Sequence, residues 1–504
     1  MRIVGSEEAR RIDERTIHAG TPGLILMERA SAAVVREIAR LFATRPERAL
    51  RPIVLAGTGN NGGDGFEVAR LLAKVRGWTT PEILLVGDPA RIAGDAAVTF
   101  LRLEESGVAI TRIENESDLA PLRDATFIVD ALFGTGLSRP LDGLAARAAV
   151  LSSRRSTFVL AVDLPSGLNG TIATLPGPHV VADLTVTFGF PKVAHVHLPA
   201  AAACGRVVVA DIGLGNAFSG AADGDVEAVT ARDVASLFPR REAASHKGTY
   251  GRLAIYGGSP GMSGAPVLAA IGAHRTGAGL VTLCLPEEIR RMAQTVSPES
   301  LTSSFDTNAS HFDAIAVGPG LGTSEGARTL FERLVTLQMP AVFDADALNL
   351  AAGRPELFSS RRAPTVLTPH PGEAARLLGT DTKTIAADRL GAARKLARLS
   401  GATVILKGFR SVVATPQGWA AFVLAGNPGQ ANGGMGDVLT GIIGALLARG
   451  FSAQDAASAG AWLHGTAGDL VREAKGEEGL VASDVAAALP AAFRAIFAHA
   501  SDAA

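Results

Sequence analysis

The chain has 504 residues, of which 47% are hydrophobic, 19% charged and only 5% aromatic, and its formal net charge is −1. This length predicts two or three domains with sizeable cores. The near-neutral charge and the scarcity of aromatic side chains exclude a general attraction to nucleic acid or to an anionic membrane, so any anion-binding site must be local.

The N-terminal stretch MRIVGSEEARRIDERTIHAG alternates charges where a signal peptide needs an apolar core. No run of about 18 apolar residues follows it, as a membrane span would require. The two cysteines, Cys204 and Cys284, lie far apart in apolar contexts, which predicts buried free thiols rather than a disulfide or a metal site. We therefore expect a cytoplasmic protein. We also expect a homo-oligomer, because sheet-rich domains of this type commonly assemble.

Short apolar runs that end in glycine or aspartate recur along the chain. They are PIVLAGTG, EILLVGD, FIVDALFGTG and FVLAVDLPSG, then RLAIYGG, AIAVGPG, AVFDAD and TVILKG. Such runs are typical of strands buried on both faces of a parallel sheet, and helical spacing follows the first of them at Val68, Leu72 and Val75. The pattern predicts an α/β fold with ligand sites beyond the carboxyl ends of the strands.

The segment NAFSGAADGD is small, polar and rich in glycine, as linkers are. It predicts a boundary near residue 222 and two domains, residues 1–222 and residues 223–504.

The stretch AGTGNNGGDG, residues 56–65, precedes the first helical pattern. Its glycines allow backbone N–H groups to approach a ligand, and the helix start after them favours an anion. A plain turn needs only one or two glycines and does not account for the asparagines or Asp64. Asp130 and Asp163 stand at two further strand ends, the second shortly before Ser166. Each aspartate alone could be only a cap, but together they predict one cleft whose oxygen ligands suit a hard cation.

The motifs GxGNNGGDG, DALFGTGL, VDLPSGL, FGFPK and VVVADIGL resemble the NAD(P)HX epimerase domain across roughly residues 1–220. The resemblance implies a Rossmann-like three-layer domain that interconverts the R and S forms of hydrated NADH and NADPH. It implies that Asp163 is the acid/base group and that Asn61, Asp130 and Ser166 hold a potassium ion. It also implies that the hydrate is contacted by Asn60, Asn61, Gly62, Gly63, Asp64, Gly134, Thr135, Gly136, Leu137, Ser138, Arg139, Pro140 and Asp163.

Two residues of the second half stand at predicted strand ends. Lys407 follows the strand TVIL and is one of seven lysines against 41 arginines. Its compact charge suits phosphate; the alternative is an ordinary surface lysine. His370 lies between two prolines, which favours a structural residue or a ligand contact over a catalytic base.

The stretch NPGQANGGMGDVLTGIIGALLARG places four glycines before Asp437 and then predicts an uninterrupted amphipathic helix. Backbone N–H groups at such a helix start form an anion hole where transferring phosphoryl charge can be stabilised. Asp437 is placed to deprotonate a hydroxyl that attacks phosphate. Alternatively, it is only a helix N-cap.

The motifs HKGxxGRL, GGSPGMSGAPVLAA, GAGLVT, DADALN, LTPHPGE and NPGxAxGGxGDxLTG resemble the NAD(P)HX dehydratase branch of the ribokinase-like superfamily, across residues 245–450. The resemblance implies that ADP, or ATP, with Mg²⁺ phosphorylates the hydrate, and that loss of phosphate restores the nicotinamide. It implies nucleotide contacts at Lys407, Gly408, Phe409, Arg410, Ser411 and Gly436. It implies contacts to the S-hydrate at Ala265, Gly322, His370 and Asp437, the last also as base.

The sequence thus favours a bifunctional repair enzyme with isomerase and lyase activities and small-molecule substrates. One alternative is a hydroxymethylpyrimidine-type kinase with a regulatory N-terminal domain, which would leave a stable phosphorylated product. Another is a non-enzymatic scaffold, since epimerase-like domains also occur in RNA-decapping scaffolds. Asn432 and Met435 replace the usual threonine and serine beside the anion hole, which removes two hydroxyl donors.

Overall fold

The computed structural model describes residues 1–42, 52–75, 79–137, 139–153, 157–214 and 226–501. The chain folds into two units, residues 2–222 and residues 223–504, with Met1 assigned to the second. The boundary that the sequence predicts near residue 222 lies within 215–225, outside the described residues.

In its described residues the first unit contains a seven-stranded parallel sheet in the order β3-β2-β1-β4-β5-β6-β7. Its strands are β1 (Pro52–Ala56), β2 (Glu82–Val86), β3 (Ala109–Ile113), β4 (Phe127–Ala131), β5 (Phe158–Val162), β6 (Leu184–Phe188) and β7 (Arg206–Ala210). Its α-helices are α1 (Ser6–His18), α2 (Gly23–Phe42), α3 (Asn60–Leu72), α4 (Gly94–Glu105), α5 (Gly143–Ser152) and α6 (Val193–Val196). Its 3₁₀ helices are Pro89–Arg91, Glu116–Arg123 and Ala200–Ala203.

In its described residues the second unit contains a ten-stranded sheet in the order β11-β10-β9-β12-β13-β14-β15-β16-β17-β8. Its strands are β8 (Val226–Val229), β9 (Arg252–Tyr256), β10 (Leu280–Cys284), β11 (Leu301–Ser303), β12 (Ala314–Val317), β13 (Ala341–Phe343), β14 (Thr365–Leu367), β15 (Thr403–Leu406), β16 (Val412–Ala414) and β17 (Ala420–Val423). The β15–β16 and β16–β17 pairs are antiparallel, and the other pairs are parallel.

The helices of the second unit surround this sheet. They are α7 (Ala231–Ser236), α8 (Gly264–Thr276), α9 (Glu287–Val296), α10 (Glu325–Val335), α11 (Asp346–Leu350), α12 (Pro371–Leu378), α13 (Thr382–Ala387), α14 (Arg389–Ser400), α15 (Met435–Ala448), α16 (Ala453–Lys475) and α17 (Ala482–Ser501). The 3₁₀ helices are Lys247–Tyr250, Ala309–His311, Pro355–Phe358 and Pro428–Gln430.

The α/β prediction is confirmed, and the apolar runs quoted above form eight of these strands. In each sheet the chain first adds two strands on one side: β2 and β3 beside β1, and β10 and β11 beside β9. The next strands, β4 and β12, lie on the other side, so a switch point lies between β1 and β4 and another between β9 and β12. Loops that leave a parallel sheet at a switch point diverge and leave a crevice for a ligand.

The helix after the second glycine stretch differs from the sequence prediction. α15 is not amphipathic, because nearly all its residues are buried. It lies between the sheet and neighbouring helices, and a Cβ at Gly441 would come within 1.8 Å of the Ala269 carbonyl oxygen in α8. A helix that is covered on every side needs no polar face, and glycine allows its backbone to approach α8 closely.

The helix after the first glycine stretch also begins earlier than predicted. α3 starts at Asn60, so Asn60 to Asp64 lie in its first turns rather than in a loop before it, and it ends at Leu72, before Val75. A Cβ at Gly62 would lie 1.9 Å from the Gly57 carbonyl oxygen, so this turn closes only with glycine there.

The thiols of Cys204 and Cys284 are free and buried, as predicted. Among the described residues no helix is both long and apolar enough to cross a membrane.

Candidate functional site

Backbone strain marks both candidate sites. Among the described residues, the non-glycine residues with positive φ are Asp163 (62°), Ala345 (49°) and Arg410 (52°). Each follows a strand at the carboxyl edge of its sheet. Such conformations cost free energy and persist where the surrounding structure holds them, commonly at functional sites.

In the first unit, Asp163 is the centre of a buried polar network. Its Oδ1 accepts a hydrogen bond from Lys192 Nζ at 2.6 Å and another from Thr187 Oγ1 at 2.9 Å. Lys192 Nζ also donates to Thr187 Oγ1 at 2.8 Å and to the Phe188 carbonyl at 3.4 Å. The ammonium therefore has three acceptors, and Oδ1 has two donors. This leaves Oδ2 of Asp163 as the oxygen open to a reacting group.

A histidine fixes the strained backbone of Asp163. His195 Nδ1 lies 2.9 Å from the Lys192 backbone N–H, which donates to it. Nδ1 is thus an acceptor, so the proton of the neutral ring is on Nε2. Nε2 lies 3.0 Å from the Asp163 carbonyl oxygen and donates to it. His195 therefore links the turn of Asp163 to the turn that carries Lys192.

The charges in this network keep Asp163 ionised. Burial alone would raise the pKa of Asp163, but the Lys192 ammonium and the hydrogen bonds from Lys192 and Thr187 hold it below its ordinary value. A buried carboxylate that stays ionised at neutral pH can accept a proton. Asp163 is among the residues predicted from the sequence, whereas Lys192 is not, although it stands in the quoted motif FGFPK.

Lys192→Met leaves the Asp163 carboxylate buried without a counter-charge. We expect the free energy of unfolding to fall by roughly 3–5 kcal/mol, the usual cost of breaking a buried ion pair. The double variant Lys192→Met/Asp163→Asn removes both charges, and we expect it to recover most of the lost stability. Denaturant unfolding of the wild type and the two variants checks this; equal stability of the single and double variants would contradict it.

A second cluster of oxygens lies at the ends of β4 and β5. Ser166 donates from Oγ to Asp130 Oδ1 at 2.6 Å and from its backbone N–H to Asp130 Oδ2 at 2.8 Å. Ser166 Oγ also lies 3.1 Å from the Phe133 carbonyl oxygen. The Asn61 side-chain nitrogen is buried and has no hydrogen-bond partner among the described residues. Burial raises the pKa of Asp130 to about 6, although the hydrogen bonds from Ser166 oppose the rise.

The segment 134–140, which the sequence predicts to contact the hydrate, adjoins both clusters. A Cβ at Gly134 would lie 3.1 Å from Asn61 Oδ1, and a Cβ at Gly170 would lie 3.4 Å from both Thr135 Cγ2 and Lys192 Cγ. Ser138 of this segment lies outside the described residues.

Asp64 is a further carboxyl group at this edge of the sheet. Its side chain is half-buried in α3. Burial raises its pKa well above the ordinary value, and the neighbouring Asp163 and Asp13 raise it further.

In the second unit, Lys407 is held by acids at the carboxyl edge of the sheet. Its Nζ lies 2.6 Å from Asp344 Oδ1 and 3.9 Å from Glu373 Oε2. Asp344 also accepts a hydrogen bond from Thr440 Oγ1 at 2.7 Å. Burial alone would lower the pKa of Lys407, but Asp344 and Glu373 raise it above the ordinary value. Asp344 is not among the site residues predicted from the sequence, although it is the first residue of the motif DADALN.

Asp437 lies in the first turn of α15 and close to this ion pair. The N-cap of α15 is Gly434, so the alternative reading of Asp437 as the N-cap is wrong. Burial, with the neighbouring Asp344 and Asp346, raises the pKa of Asp437 to about 7, although Lys407 opposes the rise. A Cβ at the preceding Gly436 would lie 3.1 Å from Lys407 Nζ, so the helix start and the lysine are adjacent.

His370 acts as a helix cap in this structure. Its Nδ1 accepts hydrogen bonds from the backbone N–H groups of Gly372, at 3.0 Å, and Glu373, at 3.4 Å. Its Nε2 lies 3.3 Å from Glu373 Oε1, and about half of the side chain is exposed. Burial and the Lys407 charge lower the pKa of His370, which argues against a charged imidazole at neutral pH.

The two remaining predicted hydrate contacts also lie at this edge. The Gly322 backbone N–H donates to Asp346 Oδ2 at 2.8 Å. A Cβ at Gly320 would lie 3.2 Å from the Ala265 Cβ, so the loop after β12 adjoins the start of α8. Ala265, Gly322, His370 and Asp437 thus all lie in segments at the carboxyl edge of the sheet, where the Lys407–Asp344 pair also lies.

The predicted nucleotide segment 407–411 forms a tight turn after β15. Gly408 has a φ of 140°, and the strained Arg410 is buried, with its guanidinium 4.8 Å from the Phe409 ring. Ser411 Oγ donates to the Gly408 carbonyl at 3.2 Å, which closes the turn. The Phe409 ring remains 39% exposed.

The unusual Asn432 has a structural partner. Its side-chain nitrogen donates to the Leu480 carbonyl at 2.8 Å, and its Oδ1 accepts from the Gly433 backbone N–H at 2.7 Å. Asn432 thus ties the glycine stretch to the segment before α17, a contact that a threonine hydroxyl is too short to copy.

Comparisons with known proteins match each of the two units to a different family. Residues 23–194 match the family described as YjeF-related protein N-terminus, and residues 253–491 match the NAD(P)H-hydrate dehydratase family. A crystal structure of the ADP/ATP-dependent NAD(P)H-hydrate dehydratase of Bacillus subtilis, co-crystallised with ATP/Mg²⁺, is similar at 32% identity and a TM-score of 0.51. The alignment covers 54% of this chain and 99% of that one.

Full-length relatives carry both regions together. The bifunctional NAD(P)H-hydrate repair enzyme of Moorella thermoacetica is 39% identical over 494 residues, which cover 94% of this chain and 93% of the relative. The enzyme of the same name from Escherichia coli is 36% identical over 439 residues, which cover 86% and 83%. With its Rossmann-like first unit, its ribokinase-like second unit and this match over nearly its whole length, the chain belongs to the family of bifunctional NAD(P)H-hydrate repair enzymes.

Proposed function

We propose that the chain repairs hydrated NADH and NADPH with two active sites. The unit of residues 1–222 is the epimerase, which interconverts the R and S hydrates. The unit of residues 223–504 is the dehydratase, which uses ADP or ATP to convert the S hydrate into NADH or NADPH. The observation that carries the proposal is the presence, in one chain, of the Lys192–Asp163 pair and the Lys407–Asp344 pair beside Asp437.

In the epimerase, Asp163 is the acid/base group. The reacting carbon bears both a hydroxyl and the ring nitrogen. The Asp163 carboxylate takes the hydroxyl proton as the carbon–nitrogen bond opens to give an aldehyde, and it passes that proton to the nitrogen; after rotation, the reverse steps close the ring on the other face. Both steps move a proton, and Asp163 Oδ2 is free to hold it while Oδ1 stays bound to Lys192 and Thr187. Residues 60–64 and 134–140 then hold the hydrate at the carboxyl edge of the sheet.

In the dehydratase, Asp437 removes the proton from the hydroxyl of the S hydrate as that oxygen attacks the terminal phosphate. The backbone N–H groups at the start of α15 face the transferring phosphoryl group and stabilise its charge. Departure of phosphate from the phosphorylated hydrate, with loss of a ring proton, restores the double bond. A pKa of Asp437 near neutrality suits a base that must accept this proton and release it.

A potassium ion fits the oxygen cluster of the first unit. Asp130, Ser166 and the Phe133 carbonyl place oxygens together, and Asn61 Oδ1 lies beside the loop after β4, 3.1 Å from a Cβ at Gly134. Oxygen ligands with a single carboxylate suit a weakly charged hard cation. The ion would hold the segments after β4 and β5 in place and steady the cleft.

We expect KCl to raise the melting temperature above that in LiCl at the same ionic strength, because an ion that binds only the folded state stabilises it. In Asp130→Asn this difference should disappear, since the site loses its charge. Differential scanning fluorimetry of both proteins checks it. An equal difference in the variant would place the potassium effect elsewhere.

Magnesium would accompany the nucleotide in the second unit. Among the described residues no group of three histidine, cysteine or acidic side chains is arranged to hold a metal. Mg²⁺ is usually bound by phosphate oxygens, waters and one or two carboxylates, so the nucleotide with one neighbouring carboxylate, such as Asp344, would suffice. The ion would neutralise charge on the phosphates.

The test of the proposal is complete conversion of a mixed hydrate. The purified chain is incubated with R and S NADHX, ADP and Mg²⁺, and NADH absorbance is followed. We expect all of the hydrate to become NADH with equimolar release of phosphate. A stable phosphorylated product would favour a small-molecule kinase, and no reaction at all would favour a ligand-binding scaffold.

Two further proposals concern location and assembly. We infer that the enzyme works in the cytoplasm, which fractionation of cells that express it checks. We also infer that it assembles as a homo-oligomer. Light scattering at a series of concentrations gives the mass of the assembly.

A further inference from the structure

The positive charge of Lys407 is already paired with carboxyl groups of the protein. Its ammonium pairs with Asp344 and lies within 3.9 Å of Glu373, and Asp437 is also close enough to act on it. Arg376 also acts on Glu373, so two cations face three carboxyl groups and this edge has little net positive charge. A nucleotide with several phosphate charges therefore needs another cation nearby.

Arg389 offers that charge. It is the first residue of α14, and its guanidinium donates to the carbonyl oxygens of Leu406, at 3.3 Å, and Phe409. A Cβ at Gly408 would lie 3.1 Å from Arg389 Nη2, so the guanidinium lies against the turn that carries the predicted nucleotide contacts.

The charge of Arg389 is not balanced by a carboxylate. Among the described residues, no aspartate or glutamate lies within ion-pair distance of its guanidinium. The two carbonyls accept two of its five N–H donors, which leaves donors for a ligand. Burial lowers the pKa of Arg389 to about 10, so it stays charged at neutral pH. A partly buried, unpaired guanidinium is costly to maintain unless an anion binds to it.

We propose that Arg389 binds the phosphates of the adenine nucleotide. The sequence alone suggests this role for Lys407. The inference for Arg389 rests on the proposed dehydratase site. Leu406 and Phe409 hold the guanidinium in one orientation, and a planar fork of donors matches phosphate geometry. The exposed Phe409 ring on the same turn leaves the adjoining surface open to the rest of the nucleotide.

The test measures ADP binding by calorimetry, without hydrate, for the wild type, Arg389→Gln and Arg389→Lys. We expect Arg389→Gln to weaken ADP binding about tenfold or more, as loss of a charge-assisted hydrogen bond does. Arg389→Lys keeps the charge and should recover much of that loss. The wild type should bind ADP less tightly as salt rises, and Arg389→Gln should be less sensitive to salt.

Arg398→Gln is the matched control, because this exposed arginine of α14 undergoes the same change of charge. We expect it to bind ADP as the wild type does. If Arg389→Gln binds ADP normally, or if Arg389→Lys is as weak as Arg389→Gln, the phosphate role is wrong. The outcome is separable from the proposed function: a wild type that binds ADP but forms no NADH contradicts the function and leaves this binding test intact.

Discussion

Asp437→Asn should abolish ADP-dependent formation of NADH from the S hydrate. We expect kcat to fall by about 10²–10⁴, the usual contribution of a general base. The amide keeps the shape of the side chain at the start of α15 but cannot accept the proton of the attacking hydroxyl. Initial rates at saturating ADP and S-NADHX measure the loss, while the rate of epimerisation should not change.

Two controls separate this loss from damage to the helix. Asp455→Asn changes the third residue of α16, the same position that Asp437 occupies in α15, and should keep full activity. In the wild type, kcat should fall as the pH drops through about 7, because Asp437 becomes protonated there and protonation removes the base. A flat rate from pH 6 to pH 8 in this reaction, or an active Asp437→Asn enzyme, would contradict the assignment.

Asp163→Asn should stop enzymatic consumption of the R hydrate. Asparagine can still accept the hydrogen bond from Thr187, but it cannot act as a base. It also leaves the Lys192 ammonium without a carboxylate partner. We expect R-NADHX to be used only at its spontaneous rate of epimerisation, at least 10²-fold below the enzymatic rate. Conversion of the S hydrate should be normal. Chromatographic separation of the two hydrates over time gives both rates.

The matched control for this variant is Asp211→Asn. Asp211 also follows a strand at the carboxyl edge of the first sheet, but it is exposed and only accepts the Gly213 backbone N–H at 2.8 Å. This variant should epimerise at the wild-type rate. Rapid use of R-NADHX by Asp163→Asn would mean that another group, such as Asp64 or Asp13, carries the proton.

The strands and the edge of the sheet that carries each site could be predicted from the sequence. Apolar runs that end in glycine or aspartate predict Asp130 and Asp163 at strand ends, and the second glycine stretch predicts Asp437 at a helix start. This works because strands buried on both faces need continuous apolar residues, and the residues that follow them meet at one edge.

The charge partners could not be predicted in the same way. Lys192 is 29 residues from Asp163, and Lys407 is 63 residues from Asp344, so only the sheet order brings each pair together. Arg389 could not be predicted either, because its proposed role depends on having no carboxylate partner in the described part of the three-dimensional structure. The periodicity of α15 was also misleading, because its glycines and small residues face neighbouring helices rather than water.

The most direct test of two independent active sites on this chain is complementation between the two variants. Mixed R and S NADHX, with ADP and Mg²⁺, is given to Asp163→Asn, to Asp437→Asn, and to an equimolar mixture of both. We expect the first to stop once the S hydrate is used, the second to form no NADH, and the mixture to convert all of the hydrate. A mixture that stops at the S fraction, or a single variant that converts everything, would contradict the account.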